Sequence, residues 1–340
     1  MAGRWARVGW VVLGLAACSN EPSHFTASSA GGSAKALPDR GADASAPDAA
    51  RGAAPDADLG VASDAPTFDA GFCTGQAVSV KELASGSVRG GALVLLSSLV
   101  ASSQKFLLSA SKTSGKCWWA AFAAEEGASG ENSGVLLLSS ADSAGPSADG
   151  GAPDCPSGAD SLPDDLAPGD RFAAFGSFSE YVPDSCSGTA AMRELLIKPG
   201  CTAVRAGHGA PPPAVLLTPE LGDRLARGTD RALLDAWSGA RVELDDVNAL
   251  AVDGSSRAVG PYGVISFAET KLELHSKVPY SDLSAGGPHQ SGKSLDFSFP
   301  VHFERAIGVL FLDYCTWSLE VCDRCVDLSP QSRGCPASGG

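Results

Sequence analysis

The sequence predicts a mainly β body behind a disordered N-terminal tether. Beyond about residue 73, helical 3.6-residue periodicity is nearly absent, and short apolar or alternating runs are separated by Gly, Ser and Pro turns. Before it, Ser19 to about Ala70 is built of Ala, Asp, Pro, Ser and Gly, with few large apolar side chains. Such a segment cannot offset its ordering entropy by burial. The whole chain has 340 residues, 44% of them hydrophobic. That is enough for real cores and suggests two domains of ordinary size.

The chain start is read from its charge and length. Arg4 and Arg7 are basic, and Val8 to Ala17 is an apolar run too short to span a bilayer. It ends in Leu15-Ala16-Ala17-Cys18. These four residues resemble the lipobox of bacterial lipoproteins. The resemblance implies that residues 1–17 are a signal peptide and that Cys18 becomes a diacylglyceryl cysteine with an acylated amine. The lipid bilayer is then a partner through Cys18, because several acyl chains anchor stably where one binds only reversibly. Ser19 after the cysteine resembles proteins sent on to the outer membrane. An ordinary cleaved signal would also accept Ala16 and Ala17, and would give a soluble secreted protein. Residues 18–72 then form the tether, with Pro-Asp-Ala at 47–49 and 55–57 and Ser-Asp-Ala at 63–65. Proline and like charges keep it extended.

Strand candidates in the first folded region, 73–210, are Gly91–Ala101, Lys105–Ser111, Trp118–Ala124, Gly134–Ser140, Arg171–Val182, Met192–Lys198 and Thr202–Arg205. Residues 141–168 interrupt them with Asp142, Asp149, Asp154, Asp160, Asp164, Asp165 and no basic residue. Clustered oxygens suit calcium, but the spacing matches no calcium loop, so a solvated insertion is expected. Residues 211–239 form a connector. Thr218 with Pro219 should start one short helix there, and Thr229 a second that ends near Trp237 with Gly239 just past it. The second region, 240–328, offers Arg241–Leu250, Gly263–Glu269, Lys271–Lys277, Phe297–Phe303, Ala306–Tyr314 and Trp317–Val321. Residues 329–340 are a tail.

Pro168-Gly169-Asp170, then Gly176-Ser177-Phe178-Ser179-Glu180-Tyr181, then Arg193-Glu194-Leu195, resembles the fourth and fifth strands of an OB-fold barrel. The version it is similar to occurs in secreted bacterial proteins, including modules attached to extracellular nucleases. The resemblance implies that Val94–Ser111 supplies the first strands and Gly134–Ser140 the third, with the insertion between strands three and four. A weaker echo covers Trp237–Leu328. The fold expected is therefore mainly β, with two OB-like β-barrels after a disordered N-terminal tether.

The formal charge of -14 argues against nucleic acid as a partner, since phosphate binding draws on Lys and Arg. Assigning Cys18 to lipid leaves nine of ten cysteines, so one thiol stays free or pairs outside the chain. Cys322-Asp323-Arg324-Cys325 with Cys315 and Cys335 could hold zinc, but export favours disulfides, with Cys335 bonded to one of the other three. Cys186 and Cys201 are further disulfide candidates. Gly287-Pro288-His289-Gln290-Ser291-Gly292-Lys293-Ser294 satisfies a nucleotide-binding G-x-x-x-x-G-K-S pattern. Strand-like alternation and Pro300 follow it where a helix is needed, so it reads as a Gly-rich loop. Ser109-Ala110-Ser111-Lys112 lacks the companion elements of an S-x-x-K enzyme. The five histidines show no metal-binding spacing. No catalytic residue, metal ligand or cofactor is assigned. Adjacent Trp118 and Trp119 must face opposite sides of a strand, so one fills the barrel. With Tyr181 they are the candidate binding residues for sugar, peptide or base stacking. The function expected is a non-catalytic binding or scaffold module for an unknown extracellular ligand or protein. The alternative is an enzyme, or enzyme accessory, acting on an extracellular polymer.

Overall fold

The computed structural model describes residues 73–111, 114–145, 155–156, 158, 160–181, 191–201, 204–260, 263–280, 295–313 and 315–335. The tether, the glycine-rich loop at 287–294 and Cys186 lie outside the described residues.

The first region is built on β1 (Gln76–Ala77), α1 (Val80–Ala84), β2 (Leu93–Ala101), β3 (Phe106–Ser111), β4 (Lys116–Glu125), β5 (Gly134–Asp142), β6 (Asp170–Tyr181), β7 (Met192–Ile197) and β8 (Val204–His208). The sheet runs β2-β4-β5-β7-β6 and closes by the antiparallel pairing of β6 with β2. Counted as barrel strands one to five, the order is one-two-three-five-four, with three and five parallel. That is the order of an OB fold. Alternation along β4 sets the layers. Cys117, Trp119, Ala121 and Ala123 point into the barrel core beside Leu96, Phe172, Phe178 and Leu195. Ala120 and Phe122 point outward. Ala121 and Ala123 share the inner face with the Trp119 indole, which is wholly buried. α1, which the strand pattern did not lead us to expect, is held by a reciprocal cap. The Glu82 N–H donates to Ser79 Oγ at 3.1 Å, and the Ser79 N–H donates to the Glu82 carboxylate at 2.7 Å. Its Val80 and Leu83 join the barrel core.

The second region comprises β9 (Val215–Leu216), α2 (Pro219–Ala226), α3 (Arg231–Trp237), β10 (Arg241–Asn248), β11 (Leu274–His275), α4 (Lys277–Tyr280), β12 (His302–Asp313), β13 (Thr316–Glu320) and β14 (Leu328–Ser329). Thr218 caps α2, with Pro219 in the first turn as expected, but the cap of α3 is Asp230 rather than Thr229. The Asp230 carboxylate accepts the Leu233 N–H at 3.2 Å. Gly239 follows α3 at φ +74°, a conformation that favours glycine. The strands form a six-stranded sheet ordered β11-β13-β12-β10-β9, with β14 beside β12. Among the described residues this order has two ends, so one closed barrel is present where two were expected. Gly263–Glu269 contributes only isolated bridges, Ile265 with Leu274 and Phe267 with Ala249. The physical reason lies in β12. Val309, Leu310, Phe311 and Leu312 are all buried, so both faces of this strand need cover. The first barrel supplies part of it.

The two regions share one apolar cluster. Phe106, Ala120, Phe122, Leu136 and Leu138 on the outside of the barrel pack with Trp237, Val242, Leu310 and Phe311 of the second region. The Phe122 and Phe311 rings meet edge to face at 5.3 Å between centroids, an arrangement that adds to area burial. The connector is packed between them. The Asn132 N–H donates to the Ala236 carbonyl at 2.6 Å, and Gly239 and Ala240 exchange backbone bonds with Leu310 at 2.9 and 3.0 Å.

The acidic insertion also departs from expectation. Cys155, Leu162 and Leu166 are buried in the barrel core. A disulfide joins Cys117 to Cys155, with 5.7 Å between Cα atoms. Lys105, wholly buried, donates through Nζ to the carboxylates of Asp160 and Asp164 and to the Leu162 carbonyl. Its ammonium lies 5.1 Å from the centre of the Trp119 ring. Two of the six carboxylates that suggested calcium, Asp160 and Asp164, thus share one lysine 55 and 59 residues upstream. Cys155, Leu162 and Leu166 plug the barrel core.

Cys73–Cys201 and Cys325–Cys335 are also bonded, and Cys315 is disulfide-bonded as well. Cys322, expected in a disulfide, is instead a buried thiol. These bonds place the folded part in an oxidising, extracellular-type environment. Among the described residues no helix is long and apolar enough to cross a membrane.

Candidate functional site

OB folds usually grip oligonucleotides or oligosaccharides on the outer face of barrel strands two and three. Here those strands are β4 and β5, and their outward Ala120, Phe122, Leu136 and Leu138 lie inside the shared core. The usual face is covered by the chain's own second region. Trp119 fills the barrel, and Trp118 is half-buried on the opposite side of β4. Trp118 stands level with Ser140, whereas Tyr181 stands level with Met192. Because Leu136 pairs with Glu194, Tyr181 and Trp118 lie toward opposite ends of the ladder. The structure does not bring the three candidate binding residues together.

A polar cluster that sequence reasoning missed lies on the second sheet. β11 places His275 level with Glu320 of β13, and β12 ends at Asp313. His275, Asp313 and Glu320 are all buried. His275 Nδ1 lies 3.6 Å from Asp313 Oδ2, and Lys277 Nζ donates to Asp313 Oδ1 at 2.9 Å. The Val278 N–H donates to Glu320 Oε1 at 2.9 Å, while Oε2 is buried without a hydrogen-bond partner. On the other side of the ring, His275 Nε2 lies 3.6 Å from Glu273 Oε2.

Burial, with Asp313 nearby, pushes the Glu320 carboxyl up to about 7. Burial opposes charge on His275, but Asp313, Glu320 and Glu273 outweigh it and raise its pKa. Burial likewise opposes ionisation of Asp313, and His275 with Lys277 outweighs it, so its pKa is lowered. The cluster therefore sets a buried carboxyl of raised pKa level with an imidazole of raised pKa, residue types that general acid–base chemistry uses. Glu273 connects it to the surface. It lines a cleft of about 420 Å³ with Asp223, Leu250, Phe267 and Glu269. No motif spacing announces these residues, because β pairing alone brings them together.

Two further buried groups are structural. Arg241 donates to Asp327 Oδ1 at 2.5 Å and to the Pro212 carbonyl at 2.8 Å, tying β10 to the C-terminal loop. Burial raises the pKa of the Cys322 thiol well above its usual value, with Asp327 adding to the effect. The thiol is therefore held protonated and unreactive. Of the remaining histidines described, His208 pairs with Asp170 at 2.9 Å and His302 with Asp246 at 3.2 Å, both at the surface. Among the described residues no cluster of three or more His, Cys, Asp or Glu side chains could hold a metal ion.

No protein-family model, curated protein or solved structure matches this chain.

Proposed function

We propose that the chain is an exported lipoprotein, held to a bacterial membrane surface through acylated Cys18. Its body serves there as a non-catalytic binding or scaffold module for an extracellular ligand or protein. The observation that carries this reading is Leu15-Ala16-Ala17-Cys18 at the end of a short apolar run, followed by an Ala/Asp/Pro-rich stretch. The disulfides of the body support it, since they suit an exported chain. Ser19 fits delivery to the outer membrane. The covered strand-two and strand-three face favours a partner on another surface, and the charge of -14 argues against nucleic acid.

The test is chemical. Cells fed a labelled fatty acid should label the wild-type protein and leave Cys18→Ser unlabelled. The N-terminal peptide should carry its acyl chains on Cys18. A wild-type chain whose mature N-terminal peptide bears no lipid would end the anchoring claim.

The alternative, an enzyme or enzyme accessory acting on an extracellular polymer, draws on the Glu320–His275–Asp313 cluster behind its cleft. It would be favoured by an activity on an isolated cell-surface polymer that falls at least about a hundredfold in Glu320→Gln while the melting temperature does not fall.

A further inference from the structure

We propose that Lys105 and Asp160 are the two ends of an intramolecular amide cross-link, formed by the folded chain itself with Asp164 as the proton-transferring partner. The geometry supplies each part of that reaction. The amine and the acceptor carboxyl touch, and both side chains are wholly withdrawn from solvent. Fixing two reactants in contact removes the entropic part of a condensation barrier. The Leu162 carbonyl accepts from Nζ at 3.0 Å and orients it. The Leu162 N–H donates to Asp160 Oδ2 at 3.2 Å. A backbone donor therefore faces the oxygen on which negative charge develops when the carboxyl carbon is attacked. Asp164 Oδ1 lies 2.6 Å from Nζ and is itself held by the Gly158 N–H at 3.1 Å. Its side chain is 40% exposed, so the site opens to solvent on the Asp164 side.

The steps balance. Proton transfer within the cluster leaves a neutral amine and a neutral Asp160 carboxylic acid. The Nζ lone pair attacks the carboxyl carbon, a C–N bond forms, and the carbonyl electron pair moves onto the oxygen facing the Leu162 N–H. Asp164 takes a proton from nitrogen and returns it to the departing hydroxyl. The C–O bond breaks, one water leaves toward the open side, and an amide remains. Nothing is oxidised or reduced. The driving force is physical as well as chemical. A charged pair in an apolar interior carries a large desolvation cost, and the product replaces it with a neutral amide over the Trp119 ring. The bond would fix the plug to the barrel independently of the Cys117–Cys155 disulfide.

The test uses the full-length wild-type chain, reduced, alkylated and digested. The expected product is a joined peptide containing both Lys105 and Asp160, lighter than its two halves by about 18 Da for the lost water, with no cleavage after Lys105. Lys105→Arg should abolish that peptide. Asp164→Asn, which keeps the reacting pair, should slow its appearance by about a hundredfold. Separate linear peptides at their full masses would show that the cluster is only a buried ion pair and overturn the proposal. So would a loss of water confined to a linear peptide around Asp160.

Discussion

Replacing Gly134 by alanine should cost the folded body about 3 kcal/mol, at the upper end for an overpacked site. A methyl at this position would stand 1.9 Å from the Gly239 carbonyl oxygen and 2.5 Å from the Ala240 nitrogen. Those are backbone atoms, so no side-chain rotation relieves the clash. Gly239 and Ala240 in turn hold Leu310 of β12 through backbone bonds. Relief therefore requires β5 and the second sheet to separate, opening the cluster that joins Phe122 to Phe311. Urea unfolding of the variant measures the cost. Gly127→Ala is the control, since its added methyl meets nothing within 4 Å and only the φ of +75° is strained. Its cost should be about 1 kcal/mol. If Gly134→Ala is as mild as Gly127→Ala, the close approach of the two regions is absent in solution.

Stability should fall as pH rises from about 4.5 to about 8. Burial is the main cause, because it pushes Glu194 up to about 8 and Glu320 to about 7, from a usual 4.5. In that window the unfolded chain has released protons that the native state still holds. Between its unfolded and folded values each carboxyl therefore lowers stability by about 1.4 kcal/mol per pH unit, Glu320 up to about 7 and Glu194 up to about 8. Their contribution is fully present below pH 4.5 and lost as pH rises through the folded values. Glu194 alone should account for about 3 kcal/mol between pH 4.5 and 7. His275, whose pKa is raised, acts in the same direction above its usual 6.5. Glu194→Gln, of nearly the same shape, should flatten much of the slope and raise the urea midpoint at pH 7.5, with little change at pH 4. A variant with the wild-type slope would show that Glu194 ionises freely and is not buried as described.

Much of the barrel was legible because its signals are local. Trp118 and Trp119 had to part to opposite faces, and the Glu180-Tyr181 and Glu194-Leu195 steps located strands that pair with each other. Thr218-Pro219 and Gly239 marked helix ends for reasons confined to a few residues. α1 was legible too and was missed: Ser79-Val80-Lys81-Glu82 spells the capping box that the structure contains. The run Val309–Leu312 carried a second unused signal. An unbroken apolar strand needs cover on both faces, and that argues for packing against another sheet. What the sequence hides is long-range. Lys105 meets Asp160 and Asp164 across the insertion, and His275 meets Asp313 and Glu320 only through β11, β12 and β13. Neither set has a spacing that a motif could register. The acidic residues looked solvated because their lysine partner lies before the insertion and outside it.

The central structural claim is that the outer face of β4 and β5 is buried against the second sheet, making the two regions one cooperative body. Hydrogen exchange followed by mass spectrometry across a urea series tests it most directly. Peptides covering 116–125 and 134–142 should lose protection at the same urea concentration as peptides covering 302–313 and 316–320, in one concerted opening. Protection that persists in the barrel after β12 and β13 have fully exchanged would contradict the shared core. The strand-two and strand-three face would then be free to bind a ligand.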